Sequence, residues 1–281
     1  MTFKLKENIK LGKASLNVKN LDLLVDFYTN KIGMDLIKKE NNIAELGVGE
    51  KVLLELVQVD KETNEKLTGL YHIAYLLPTR ADLGNALFSL LVRNAPIYDA
   101  SDHGYSEALY LNDPEGNGIE IYADRPKEKW DIREDGTIAG YTIAMDAEGV
   151  LAEKTSGAPV NLPEGTIIGH MHLSIKDLEK TKDFYTNILG FDNKFEFPRQ
   201  AIFMASGLYH HHIAINIWDS ANMKLREDDA LGLNYFEIIV EDEKELNRIK
   251  THLKDNNIHI EEIDDGFIVR DNQNINILIK Y

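Results

Sequence analysis

Gly12-Lys13-Ala14-Ser15-Leu16-Asn17-Val18-Lys19-Asn20-Leu21 returns later in the chain as Gly169-His170-Met171-His172-Leu173-Ser174-Ile175-Lys176-Asp177-Leu178. Just beyond each copy, Asp26-Phe27-Tyr28-Thr29-Asn30 recurs as Asp183-Phe184-Tyr185-Thr186-Asn187, and Gly33 as Gly190. All three matches keep one offset of 157 residues without a gap, so the chain reads as two copies of one unit. Within the unit the period changes. Residues 13–18 alternate as a strand does. Leu21, Leu24, Val25, Tyr28 and Ile32 then fall on one helical stripe, with Gly33 placed to cap it. Strand-like stretches follow at 43–46 and 52–59, and the pattern restarts with a strand at 71–77, a helix near 80–93 and strands ending at 119–122. The second copy offers strands at 170–175 and 235–240 and helices at 178–189 and 243–255. The expected fold is α+β, built of four strand–helix–strands (βαβββ) modules. Two modules fill residues 9–124 and two fill 166–281. The charged, Gly/Pro-punctuated stretch 125–165 reads as a linker with a short hairpin near 140–148.

Composition narrows the chemistry. The chain has 281 residues and a formal net charge of −16, which argues against nucleic acid, because phosphate binding needs clustered Lys and Arg. No apolar run is long enough to span a membrane, and no apolar stretch follows the first charged residues as a secretory signal would. Cysteine is absent, which removes disulfides, thiolate nucleophiles and Cys-based metal sites and fits a reducing, cytoplasmic setting. What remains to carry chemistry is carboxylates, Tyr, Lys and nine histidines.

Seven histidines fall on or beside expected strands: His72, His103, His170, His172, His210, His211 and His212. His252 and His259 belong to the last helix and the turn after it, and read as solvent-exposed. On the strand 170–175, Met171, Leu173 and Ile175 must pack on the helix, so His170, His172 and Ser174 look to the open face. After the turn Asp113-Pro114-Glu115-Gly116-Asn117, Ile119 and Ile121 face the core, and Glu120 and Tyr122 face the same open side as His72. Taken alone, Glu120 is a solvated charge; opposite His72 it becomes a candidate metal carboxylate. Two imidazoles and one carboxylate leave half of a metal's coordination sphere open, which suits non-haem Fe(II) holding an organic substrate and O2.

At this point the chain resembles the vicinal-oxygen-chelate superfamily of glyoxalase I, bleomycin-resistance proteins and type I extradiol dioxygenases. The extradiol motif runs from a His through an aliphatic–Tyr pair to Asp-Pro-x-Gly and a final Glu. Here it reads His103-Gly104-Tyr105-Ser106-Glu107-Ala108-Leu109-Tyr110-Leu111-Asn112-Asp113-Pro114-Glu115-Gly116-Asn117-Gly118-Ile119-Glu120, with Ser101 the one departure at its start. The resemblance covers nearly the whole chain. It implies tandem domains whose mixed sheets form a metal-binding cup, and Fe(II) held by His72 (in Leu70-Tyr71-His72), Glu120 and His170 (in Gly169-His170), with Mn(II) accepted by similar ligands. It implies His211, in His211-His212-Ile213-Ala214, as catalytic base, His103 as acid and Tyr110 as a hydrogen-bond donor to substrate. His172 and His212 would orient the ligands or line a wet cup. The implied reaction is oxidative meta-cleavage of a small aromatic diol with O2, a step of aromatic catabolism. Sheet edges at the module junctions suggest a homo-oligomer.

Two points are left for the structure. Strand alternation puts His211 on the face of Ile213 and Ile215 and by itself favours His210 or His212, so a bulge is needed to turn His211 toward the cup. In the family's usual layout modules three and four supply all ligands, but here module four has Tyr235 and Leu278 at the His and Glu positions, and module one has Lys13 at the first ligand position. Lys13 reads as a surface or linker-pairing charge. A complete ligand set therefore requires module two to pair with module three, leaving modules one and four structural. The rival readings are a glyoxalase-like isomerase, which would want a Glu in place of His211, a hydroquinone-cleaving relative, and a metal-free small-molecule-binding protein, which would need no ligands.

Overall fold

The computed structural model describes residues 3–61 and 67–281. Each repeat opens as its sequence dictates. Strand Lys10–Val18 leads into a helix capped by Asn20, whose side chain accepts from the Leu23 amide at 3.0 Å. Strand Ile167–Ser174 leads into one capped by Asp177, bonded to the Lys180 amide at 3.1 Å. The expected regular helices 21–32 and 178–189 are not seen. The α-helices end at Phe27 and Asp183, and each continues as one wider π-type turn, Tyr28–Ile32 and Phe184–Ile188. The first of these turns is closed by Gly33, left-handed at φ 89°. Both widened turns carry a fully buried Tyr whose hydroxyl needs a partner. Tyr28 reaches Asp113 at 3.1 Å and Tyr185 reaches Asp271 at 3.2 Å, each in the turn before the last strand of the neighbouring module.

The fold is α+β with two mixed sheets, and each sheet draws on both repeats. The first runs in the order Ile260–Ile263, Gly266–Arg270, Asn276–Lys280, Gly232–Ile239, Lys10–Val18, Lys51–Gln58, Ile43–Val48, Asp35–Glu40, joining modules four and one. The second runs Ile143–Ala144, Ile97–Asp102, Ser106–Asn112, Gly118–Asp124, Gly69–Leu77, Ile167–Ser174, Ile213–Asn216, Ala201–Ala205, Asp192–Phe197, joining modules two and three. The junctions are antiparallel pairs of first strands, Lys10–Val18 with Gly232–Ile239 and Gly69–Leu77 with Ile167–Ser174. This is the pairing that a site drawn from modules two and three requires. One continuous apolar cluster, from Leu5 to Ile279, runs through both sheets and their helices.

Several expectations need correction. The hairpin of the connecting stretch lies not at 140–148 but at Asp131–Ile132 with Ile138–Ala139, turning at Asp135-Gly136. Asp-Gly is the stronger hairpin signal, because Gly136 supplies the positive φ of 80°. Residues Ile143–Ala144 instead extend the second sheet beside Ile97–Asp102, and Ala147–Ala152 form a helix. His252 is only partly exposed, since its ring stacks on Phe3 with centroids 3.9 Å apart. His259 is exposed. No helix among the described residues is long and apolar enough to cross a membrane.

In the first sheet the positions equivalent to a metal site carry a closed polar network. Lys13 Nζ donates to Glu55 at 2.8 Å, and Tyr235 donates to the other oxygen of Glu55 at 3.0 Å. Lys280 pairs with the buried Glu237 at 2.9 Å. Lys13 is thus tied inside its sheet, not paired with the linker.

Candidate metal centre

The second sheet brings three side chains to one point through strand register. Glu120 and His170 lie on the two neighbours of strand Gly69–Leu77, and both are in register with Ala74. His72 sits two residues before Ala74 on the same face. The side chain between Glu120 and His170 at this level is only the methyl group of Ala74, so the three longer side chains can converge above it. His72 Nε2 lies 2.9 Å and His170 Nε2 3.1 Å from the same Oε2 of Glu120, and the two Nε2 atoms are 3.2 Å apart. All three residues are buried, none more than 4% exposed. Neighbouring ligands of an octahedral divalent ion bonded at about 2.0–2.2 Å lie about 3 Å apart, so the spacing fits a metal bound on one triangular face.

The electrostatics agree with that fit. Burial alone would raise the Glu120 carboxyl, but His170 and His72 outweigh it and hold the group well below the usual carboxylate range. Burial pulls the His170 imidazole down to about 4 despite Glu120, helped by His72 and His210. Three atoms of ligand type therefore converge in a site that a cation would complete. Gly169 makes room for the strand here, since a Cβ at that position would stand 1.8 Å from the Tyr122 hydroxyl.

Around the triangle lies a cavity of about 390 Å³. Its walls include Tyr71, Tyr98, Phe195, Phe197, Phe203 and Trp218, with Thr142 and Gln200 among the polar groups. His103, Tyr110, His172 and His211 also line it. His103 Nε2 meets the Tyr110 hydroxyl at 2.7 Å, while its Nδ1 lies 3.1 Å from the Tyr141 carbonyl. Tyr110 is paired across the ladder with Glu120. Burial, with the Glu120 carboxylate nearby, pushes the Tyr110 hydroxyl well above its usual pKa, so it remains a donor. His211 lies over His170 with ring centroids 4.1 Å apart. Its pKa is driven well below the ordinary histidine value by burial, then by its histidine neighbours.

No bulge turns His211 inward: the last strand of module three begins only at Ile213, and the three histidines occupy an irregular bend before it. Strand alternation does not apply to them. His172 packs edge-on against His72, centroids 4.8 Å apart, and Asn216 holds its Nε2 at 2.9 Å. His212 does not line the cavity; it points to Tyr209 and receives the Ser206 amide at 3.3 Å. The sequence reading missed the aromatic walls. The alternation of Phe195 and Phe197 could have revealed a shared face, but Tyr141 and Thr142 arrive from the connecting stretch and carry no local signal.

A profile of the Glyoxalase/Bleomycin resistance protein/Dioxygenase superfamily matches residues 10–121 and 167–267. The chain belongs to this superfamily. Within it, the chain is 40% identical over 270 residues to a protein of Bacillus subtilis (strain 168) named catechol-2,3-dioxygenase, covering 94% of each chain. Among solved structures, a putative dioxygenase from Bacillus subtilis subsp. subtilis str. 168 superposes with a TM-score of 0.63 at 14% identity, over 99% of this chain and 86% of that one. Glyoxalase I from Zea mays does so with a TM-score of 0.57 at 14% identity, over 97% and 92%. At such identities these structures support the superfamily fold and nothing finer.

Proposed function

We propose that the chain is an extradiol dioxygenase that opens the ring of a catechol-type diol with O2, using Fe(II) held by His72, Glu120 and His170. The observation that carries this reading is the buried His–Glu–His triangle at the base of an aromatic-walled cavity. The 40% identical relative named catechol-2,3-dioxygenase supports it. Mn(II) accepts the same ligand types. A divalent ion bound there supplies Lewis acidity toward a diol oxygen and the redox chemistry that O2 requires.

The protein residues then have distinct tasks. His211, neutral through burial, accepts a proton from a diol hydroxyl at Nε2. Tyr110 donates a hydrogen bond to the substrate. A doubly protonated His103 bonds the Tyr141 carbonyl through Nδ1–H and donates its Nε2 proton to the Tyr110 oxygen 2.7 Å away, while the hydroxyl proton of Tyr110 passes to the product; His103 is left neutral and is recharged by the proton taken from the diol. Phe203 and Trp218 flank the ring and exclude water, while His172 props the His72 ring in place. A positioned acid–base group is typically worth about 10²–10⁴-fold in rate.

The test is direct. Protein loaded anaerobically with Fe(II), mixed with catechol and exposed to air, should turn yellow from the ring-opened semialdehyde while O2 is consumed. Absence of O2 uptake with any catechol rejects the dioxygenase reading. Glu120→Ala should lose both metal retention and turnover, and an active, metal-bound variant would reject the ligand set.

A further inference from the structure

We propose that half-buried Asp124 and buried His210 form a hydrogen-bond chain that fixes His211 as one tautomer, with its hydrogen on Nδ1 and the Nε2 lone pair left for the cavity. The catalytic consequence rests on the reading of His211 as proton acceptor; the chain itself does not. Asp124 ends the strand that carries Glu120. Its Oδ1 lies 3.0 Å from His210 Nε2, and His210 Nδ1 lies 2.7 Å from His211 Nδ1.

The hydrogens follow from donor and acceptor chemistry. A carboxylate oxygen only accepts, so the hydrogen of a neutral His210 sits on Nε2. Its Nδ1 then presents a lone pair. Two nitrogens 2.7 Å apart need a hydrogen between them, and with His210 singly protonated it is His211 Nδ1 that supplies it. A neutral imidazole has one N–H, so His211 Nε2 is left without one, and no partner engages that atom among the described residues. It is the nitrogen a proton acceptor needs.

The surroundings lock this arrangement. His210 is 2% exposed and sandwiched between Tyr105, stacked at 4.3 Å and 12°, and Tyr209, at 4.1 Å. Tyr209 is held in turn by the Tyr122 hydroxyl at 2.8 Å. A ring so clamped cannot turn to offer its other nitrogen. Asp124 and His210 act through His211 and touch no substrate, so both are positioning residues. Each repeat supplies part of the chain: Asp124 comes from module two and both histidines from module three.

The test reads the tautomer and the rate separately. In the ¹⁵N-labelled full chain without paramagnetic metal, long-range ¹H–¹⁵N correlation should show His211 as the Nδ1–H form, assigned by the signals lost in His211→Gln. Asp124→Leu, tolerable beside Leu76, Leu77 and Ile167, should shift His211 toward Nε2–H. It should also lower kcat by about 10²-fold or more at unchanged KM and metal content. Asp124→Asn keeps an acceptor oxygen and should recover much of that loss. A wild-type His211 already in the Nε2–H form overturns the proposal. So does a tautomer that ignores Asp124→Leu, or an equal shift in both variants; a tautomer that shifts while kcat does not fall supports the chain and rejects His211 as proton acceptor. A wild-type protein that cleaves no diol yet shows the Nδ1–H form supports the chain and rejects only the dioxygenase reading.

Discussion

At the scale of single residues, the smallest side chain in the centre is as informative as the largest. Ala74 is fully buried and in register with both Glu120 and His170. Its counterpart in the first sheet, in register with Leu278, is Glu237, and there the space is filled by the pair with Lys280. Ala74→Leu should therefore leave a folded protein, at a cost of about 1–3 kcal/mol for overpacking, that no longer retains metal. Metal analysis beside a thermal melt checks this, and full metal content in the variant would show that the triangle does not depend on the gap. A second residue-scale effect concerns Asp271, whose carboxyl burial pushes up to about 6 although the Ile275 and Gln273 amides and the Tyr185 hydroxyl bond to it. The folded state then binds a proton more readily than the unfolded chain. The favourable contribution is complete below about pH 4 and is lost as pH rises through about 6, on the order of 2–3 kcal/mol. Urea titrations at pH 4.5 and pH 7 should thus show a smaller difference in Asp271→Asn than in wild type, and identical differences would refute this assignment.

Elements explain what could and could not be read in advance. His72, Glu120 and His170 were legible because strand alternation assigns each a face from its own neighbours, with no tertiary information needed. Their meeting point was not, because register between strands distant in sequence fixes it. His211 was proposed from a motif against the apparent strand phase, and that phase does not apply to it because the strand starts two residues later. The π-type turns were hidden too: Tyr28 and Tyr185 fit a regular helical stripe, and only the acids opposite them show why the helix widens. Tyr185→Phe would leave a hydrogen-bonding position of buried Asp271 unfilled and should cost about 1–3 kcal/mol, measurable by denaturant unfolding. A neutral result would mean that the turn is held by its backbone bonds alone.

Over the whole molecule, the repeat is broken at the level of chemistry and kept at the level of shape. The strand register makes Lys13 the counterpart of His170, Tyr235 of His72 and Leu278 of Glu120. If the first sheet is a site whose ligands were replaced, then Lys13→His, Tyr235→His and Leu278→Glu together should give a protein binding two equivalents of divalent metal in place of one. Unchanged stoichiometry would show that the two sheets differ in backbone as well as in side chains.

The interleaving of the repeats also sets an order of assembly. The sheet holding the candidate metal centre needs only the chain from Gly69 to Asn216, and the C-terminal module adds no strand to it. The other sheet must wait, because Lys10 pairs with Ile239, near the opposite end of the chain. Loop closure over such a separation is slow, and a chain leaving the ribosome exposes the first strand long before its partner exists. The sheet with the candidate site is thus placed to form first, with strand Lys10–Val18 held open, its unpaired edge in need of cover, until the last module arrives.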